Sequence, residues 1–392
     1  MTKLDLDPAT TLPADGGAGT LVGRAWLPQV EGPAVVAVRA DGLYDVSRAF
    51  PTVRDLAEAP EPAAAVAAVA GERIGALSNV LANTPEDGRD QTKPWLIAPV
   101  DLQAIKAAGV TFAQSLIERV IEEQARGAPE KAAAVRAEVE GALGGAVAGL
   151  KPGSPQAAEL KRLLQTKGLW SQYLEVGIGP DAEIFTKAPP MAAVGTGAAI
   201  GILAQSTWNN PEPEIVLAVN SSGAIVGATL GNDVNLRDLE GRSALLLGKS
   251  KDNNASAAIG PFVRLFDATF SLDDVRRAEV RLSVDGEDGF RLEAASAMAR
   301  ISRDPADLVA QTIGPHHHYP DGAVLFLGTM FAPVKDRDAP GQGFTHHVGD
   351  VVTIASEKLG ALVNVVTTCD RAPPWRFGTA ALMRNLARRG LL

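Results

Sequence analysis

Apolar and polar positions divide this chain into three stretches. In the first, up to about residue 95, "TLVGRAWL" and "AVVAVRADGLYDVS" alternate or run apolar around an Asp-Gly pair, which predicts a hairpin. "EPAAAVAAVAGERIGALSNVLA" is Ala-rich and predicts a helix, and the Asp/Pro-rich "TPEDGRDQTKPW" predicts a connector. From about 102 to 175 the period is helical. "AQSLIERVIEEQA" sets Leu116, Ile117, Val120 and Ile121 on one stripe, and "PEKAAAVRAEVEGAL" and "SPQAAELKRLLQTKGL" predict two more helices, broken by Gly and Pro at 144–155. Beyond about 184 the runs are short, β-branched and bounded by turns: "EIVLAV", "AIVGATLG", "AEVRLSVDG", "FRLEAAS", "AVLFLG", "VVTIAS" and "ALVNVVTT". One helix, "DPADLVAQTIG", interrupts them.

Strand runs with segregated helices predict an α+β fold, not an alternating βαβ one. The expected organisation is a small β-rich domain over 1–95 and a larger domain over 96–392, carrying a helical insert or cover at about 113–178. "GTGAAIG" lacks the flanks and downstream acid of a dinucleotide fingerprint and is discounted.

Composition narrows the partners. The formal net charge of −9 over 392 residues disfavours nucleic acid or an anionic membrane. The N-terminus has no apolar leader core, and no apolar run approaches the roughly 18 residues of a membrane helix, so a cytoplasmic protein is expected. The single Cys369 rules out an intramolecular disulfide and reads as inert packing. All five histidines lie in "GPHHHYP" and "THHVGD", without the spacing of a zinc site, and a loop role is expected for them.

The stretch that carries chemistry is "NNPEPEIVLAV". Side chains alternate along a strand, so Glu212 and Glu214 share a face while Ile215, Leu217 and Val219 take the other. Pro211 and Pro213 mark a strand start or an edge. If "NSSG" (220–223) is a four-residue loop, Val219 pairs with Ala224, Glu214 with Thr229 and Glu212 with Gly231, and Asp233 lies one step beyond on the same face. A three- or five-residue loop would flip that parity. Three carboxylates so close repel unless a cation neutralises them, and all-oxygen ligation suits Mg²⁺, Mn²⁺ or Ca²⁺ over zinc. An E-x-E pair by itself reads as surface charge; the aligned third acid is what brings in the metal.

Several ordered motifs between about 95 and 372 resemble the fumarylacetoacetate hydrolase family: "IFTKAPP" (184–190), "PEPEIVLAV" (211–219), "GNDVNLRD" (231–238), "GKSKDNNASAAIGP" (248–261), "LFLGT" (325–329) and "VGDVVTIASEKLGALVNVV" (348–366). The resemblance implies a mixed β-sandwich roll, commonly dimeric or a dimer of dimers, that binds 2-oxo acids through Mg²⁺ or Mn²⁺. It implies Glu212, Glu214 and Asp233 as metal ligands, Lys249 as the active-site lysine, and Lys187 and Thr329 as residues near the substrate.

One departure bears on the reaction. Where the family's hydrolases carry a His and a Glu that activate water, "GVTFAQSLIE" (109–118) has Ser115 and Glu118. A neutral serine cannot take a proton from water as imidazole does. This departure and the long insert resemble the family's dehydratase branch. The implied reaction is loss of water from 2-keto-3-deoxy-D-xylonate to give 2,5-dioxopentanoate; the alternative is hydrolysis of an acylpyruvate-type C–C bond. Lys249 is read as the base or as a fixed positive charge on an enolate. Glu118 is read as the second acid–base group or as an ion-pair partner of Arg119, and Ser115 as a hydrogen-bonding contact to the substrate. Arg237 and Asp238 are read as structural, the arginine orienting nearby carboxylates.

Overall fold

The computed structural model describes residues 4–392 except 144, 146, 148 and 169. The Gly/Pro-rich break at 144–155 and the last residue of the predicted helix at 154–169 therefore lie partly outside the described residues.

Short β-branched runs form two main sheets, and Asn209–Asn210 pairs with Asn235–Leu236 in a separate two-stranded ladder. The larger has 11 strands. At its centre Pro213–Val219 (the glutamate strand) pairs antiparallel with Ile225–Asp233 (the aspartate strand) on one side and with Ala323–Phe326 on the other. The aspartate strand pairs onward with Ala257–Leu265. The smaller sheet has 5 strands, in the order Arg291–Ala297, Glu279–Asp285, Val351–Ser356, Gly360–Thr368, Ala199–Ile202. Each sheet contains a parallel pair among antiparallel ones, so both are mixed. Ile215, Leu217 and Leu230 of the large sheet pack with Leu282, Val284, Ile354 and Leu362 of the small one. This is the α+β fold that the strand runs predict, in the sandwich form that the family resemblance implies.

The glutamate strand starts at Pro213 and runs through the middle of its sheet, so the two prolines mark a strand start. Its other face is apolar too: Val216 and Ala218 join a second core with Val324 and Ile259. A strand buried on both faces leaves no water for a charged side chain at its mouth, and any carboxylate there needs an internal partner.

The hairpin joining these two strands departs from the expected register. The turn spans 220–224, because Asn220 Oδ1 accepts from Ser222 N at 3.1 Å and Ala224 N at 2.9 Å, and Asn220 N donates to Ala224 O at 3.0 Å. Val219 therefore sits opposite Ile225, which would turn Glu212 and Glu214 away from Asp233. A bulge between Ala218 and Val219 shifts the ladder once more. From there Glu214 faces Gly231 and Pro213 faces Asn232, and Asp233 N donates to Glu212 O at 3.1 Å. Two single-residue shifts restore the parity, so the carboxylates share a face.

Residues 4–95 extend the large sheet: Leu21–Leu27 pairs antiparallel with Ala257–Leu265, Leu21 opposite Arg264. The single helix expected over 61–82 is two helices, Pro62–Ala68 and Leu77–Ala82, flanking the strand Glu72–Gly75. Gly71, at φ 69°, makes the break, and a Cβ there would meet Asp45 O at 2.9 Å.

Four helices form the cover: Ala113–Ala125, Pro129–Leu143, Pro155–Thr166 and Gln172–Ile178. The predicted stripe of the first is its packing face. Leu116, Val120 and Ile121 are buried with Leu164, Leu174 and Trp208, and Ile117 packs partly buried beside them. Its other face is also buried, although it carries Ser115, Glu118, Arg119 and Glu122. Among the described residues no helix is long and apolar enough to cross a membrane.

Candidate metal centre

Glu212, Glu214 and Asp233 are each about 1% exposed, and ligand atoms from all three lie within 4.8 Å of one another. Among the described residues they are the one group of three or more His, Cys, Asp or Glu side chains placed to hold a metal ion. Glu214 has no cation within ion-pair distance among the described residues. Its Oε2 accepts from Gly328 N at 2.7 Å, and its Oε1 from Thr329 Oγ1 at 3.4 Å. Burial, then the charges of Asp233 and Glu212, push the Glu214 carboxyl well above the usual range. A buried carboxylate raised by two like charges is what a divalent ion would relieve, and three carboxylates are the hard oxygen donors that Mg²⁺ or Mn²⁺ takes. The residues fit such an ion.

Two lysines and an arginine surround the other two acids. Lys251 Nζ lies 2.5 Å from Glu212 Oε2 and 3.1 Å from Asp233 Oδ2. Lys187 Nζ lies 2.8 Å from Asp233 Oδ1, and Arg119 pairs with the remaining oxygen of Glu212. Burial alone would raise Asp233, but Lys187 and Lys251 outweigh it and hold the carboxyl below its ordinary value.

The lysine that reaches the cluster is Lys251, and the expectation placed on Lys249 is corrected on this point. Both stand on the short helix Leu247–Lys251. Residues two apart on a helix point about 200° apart, so only one of them can face inward. Lys249 is exposed, whereas Lys251 is 2% exposed.

Lys187 is likewise not free to meet a substrate. It is fully buried, and besides Asp233 it donates to Lys251 O at 2.6 Å, Val234 O at 3.2 Å and Ser256 Oγ at 3.3 Å. It braces Asp233 from behind. Ser115 is buried and donates to Phe112 O at 2.9 Å, an intrahelical contact. Thr329 sits directly on Glu214.

Glu118 hangs from the cover helix with both oxygens engaged. Arg237 Nη2 lies 2.9 Å away, and Arg136, from the second cover helix, donates from Nη2 at 2.8 Å and from Nη1 to the other oxygen. Arg237 also holds Glu122 at 2.6 Å, and Arg119 holds Glu122 at 2.6 Å and Glu240 at 3.2 Å. Arg237 thus orients carboxylates, as its motif predicts. Asp238 accepts from Ser206 Oγ at 2.8 Å and Thr207 N at 3.0 Å. Burial raises Glu240 to about 7, against the pull of Arg119 and Lys251.

Arg119, Glu122, Glu240 and Lys251 are the site residues that sequence reasoning missed. The signal for the first two was an Arg and a Glu at positions i and i+3 on the polar face of a helix whose other face is apolar. That spacing reads as a solvated pair unless the face is known to be covered. The histidines divide. His316, His317 and His318 are exposed, while His346 is buried with Nδ1 3.1 Å from Asp350 Oδ2.

Comparison with known proteins agrees with this geometry. Residues 175–367 match the family described as fumarylacetoacetate (FAA) hydrolase C-terminal. A stretch of 196 residues is 32% identical to a protein of Haloferax volcanii named probable 2-keto-3-deoxyxylonate dehydratase, covering 50% of this chain and 64% of that protein. Another of 187 residues is 31% identical to the 2-dehydro-3-deoxy-D-arabinonate dehydratase of Saccharolobus solfataricus, covering 47% of this chain and 58% of that protein. The chain thus spans less than two thirds of the length of these relatives. In fold it is similar to 2-keto-3-deoxy-D-arabinonate dehydratase in its apo form, with a TM-score of 0.59 at 19% identity over 89% of this chain and 99% of that one. It is similar also to that dehydratase complexed with magnesium and 2,5-dioxopentanoate, with a TM-score of 0.58 at 19% identity over the same shares of the two chains. The motifs, the sandwich and the family match converge on one assignment: residues 175–367 form a domain of the fumarylacetoacetate (FAA) hydrolase C-terminal family.

Proposed function

We propose that this protein is a divalent-metal-dependent dehydratase that converts 2-keto-3-deoxy-D-pentonate to 2,5-dioxopentanoate and water. The observation that carries the reading is the buried triad Glu212, Glu214 and Asp233, with ligand atoms within 4.8 Å, beside a lysine and under a helical cover. The names of the two curated relatives support the substrate class. Those names converge chemically in the D series. D-xylonate and D-arabinonate differ only at C2 and C3, and both centres vanish when C2 becomes a ketone and C3 a methylene. One acid remains, with a single stereocentre at C4, and the substrate proposed here is its D form.

Glu212, Glu214 and Asp233 would hold the ion, which supplies Lewis-acid polarisation of the 2-oxo acid. The chain's own groups do the rest. Lys251 takes the place expected of Lys249, a positive charge against the enolate that forms when C3 loses a proton. Glu118 is the acid–base group, with its orientation fixed by Arg237 and Arg136. It takes the C3 proton and returns it to the C4 hydroxyl, which leaves as water, and proton shifts then place the aldehyde at C5. Thr329, bonded to Glu214, and Ser115 at the start of the cover helix are the polar contacts offered to the substrate.

The test follows hydrogen at C3. In D₂O the enzyme should exchange C3 protons of the substrate or of a 2-oxo acid analogue lacking the C4 hydroxyl, as read by proton NMR. An acylpyruvate should keep its enol absorbance. Cleavage of the acylpyruvate without C3 exchange would support the hydrolase instead.

A further inference from the structure

A cavity lies under the start of the cover, outside the acid cluster itself. It encloses about 450 Å³ between the start of the first cover helix and the small sheet, and no metal-site carboxylate lines it. Its floor is apolar, from Val110, Phe112, Leu116, Ile178 and Met330. Its size is within the range of small-molecule sites. A strand-like bridge between Phe112 and Ile301, with Ser302 N donating to Thr111 O at 2.8 Å, closes the floor against the small sheet.

The rim is polar and positive. Ser296, 6% exposed, lines the cavity, and its hydroxyl has no hydrogen-bond partner among the described residues, unlike the neighbouring Ser302, which donates to Thr111 O. With no partner of its own, this hydroxyl is available to a ligand atom in the cavity. Arg300 and Lys151 stand exposed at the same rim without an acidic partner among the described residues. The helix Ala113–Ala125 opens beside them without a side-chain cap, its free N–H groups adding positive potential at that end.

We propose that this cavity binds a small organic carboxylate, its apolar body on the Val110–Met330 floor and its carboxylate between Ser296 and Arg300. It is a binding site separate from the metal centre, and the proposal is independent of the reaction assigned there.

The probe is benzoate, titrated into the full chain and followed by saturation-transfer-difference NMR and calorimetry. Saturable binding should weaken at least tenfold in the double variant R300A/K151A and in Ser296→Val. Circular dichroism and the unfolding midpoint of R300A/K151A should stay unchanged, because both side chains are exposed. Mn²⁺ affinity at the acid cluster should be the same in all of them. Absence of saturable benzoate binding to the wild type overturns the proposal. So does equal binding by wild type and R300A/K151A.

Discussion

Asp233 and Glu212 face each other across two paired strands, joined by a backbone hydrogen bond of 3.1 Å, and one lysine, Lys251, reaches both carboxylates. Backbone register alone sets the two acids together, and Glu214 follows from strand alternation. Replacing Asp233 by Asn, or Glu212 by Gln, keeps shape and removes a negative charge. Mn²⁺ affinity, read by electron paramagnetic resonance, should fall by more than the ten- to hundredfold that loss of a mere outer partner costs. An unchanged affinity in either variant would move the metal elsewhere.

Lys251 and Lys249 separate cleanly. Lys249→Ala removes an exposed side chain and should leave stability within about 0.5 kcal/mol and turnover unchanged. Lys251→Met strips a cation from buried Glu212 and Asp233, a loss of the kind that costs roughly 3–5 kcal/mol. Added Mg²⁺ should restore part of that loss, since a ligand that binds only the folded state stabilises it. Urea unfolding with and without metal measures both effects. Comparable damage from the two substitutions would contradict the placement of Lys251.

Arg237 is 1% exposed and holds Glu118 and Glu122. Arg237→Met should destabilise the chain by about 3 kcal/mol, because two buried carboxylates each lose one of their two arginine partners. Turnover should fall as well, because Glu118 loses the orientation needed for proton transfer. Asp238→Ala, which frees only Ser206 and Thr207, should cost about 1 kcal/mol and leave turnover alone.

Acid should weaken the fold through His346. Burial pushes its imidazole below the usual range, and the hydrogen bond to Asp350 offsets this only in part. The unfolded chain therefore binds more protons than the folded one between the depressed value and about 6.5, and stability rises with pH across that window. Asp350 adds a separate effect. Burial would raise it, but Arg337 and His346 draw it down to about 2, so its share is lost only below about 3.9. The urea midpoint of the wild type should climb relative to that of His346→Gln between pH 5 and 7. A constant difference would remove His346 from the account.

The sequence was most legible where period and packing agree. The stripe Leu116, Val120 and Ile121 announces the cover, and the short β-branched runs announce the sheets, because an apolar face must be buried in either case. The shared face of Glu212, Glu214 and Asp233 was legible only through a coincidence of two shifts. The turn is one residue longer than "NSSG" suggests, and the bulge before it cancels the change. Neither shift is written in the hydrophobic pattern, because Val219 and Ala218 are both apolar and the strand is buried on both faces. Lys251 was hidden for a different reason. Its helix is five residues long, too short for a period to show which lysine points inward. The arginines of the cover were hidden by their charge, which reads as solvated surface until the element above them is known.

The central claim is best tested on purified protein stripped of metal with EDTA and then given Mg²⁺ and either C4 epimer of 2-keto-3-deoxypentonate. Trapping of 2,5-dioxopentanoate as its hydrazone should show aldehyde from the D epimer with Mg²⁺, and none before metal is restored. Aldehyde formation that ignores the metal, or no aldehyde from either epimer, would contradict the assignment.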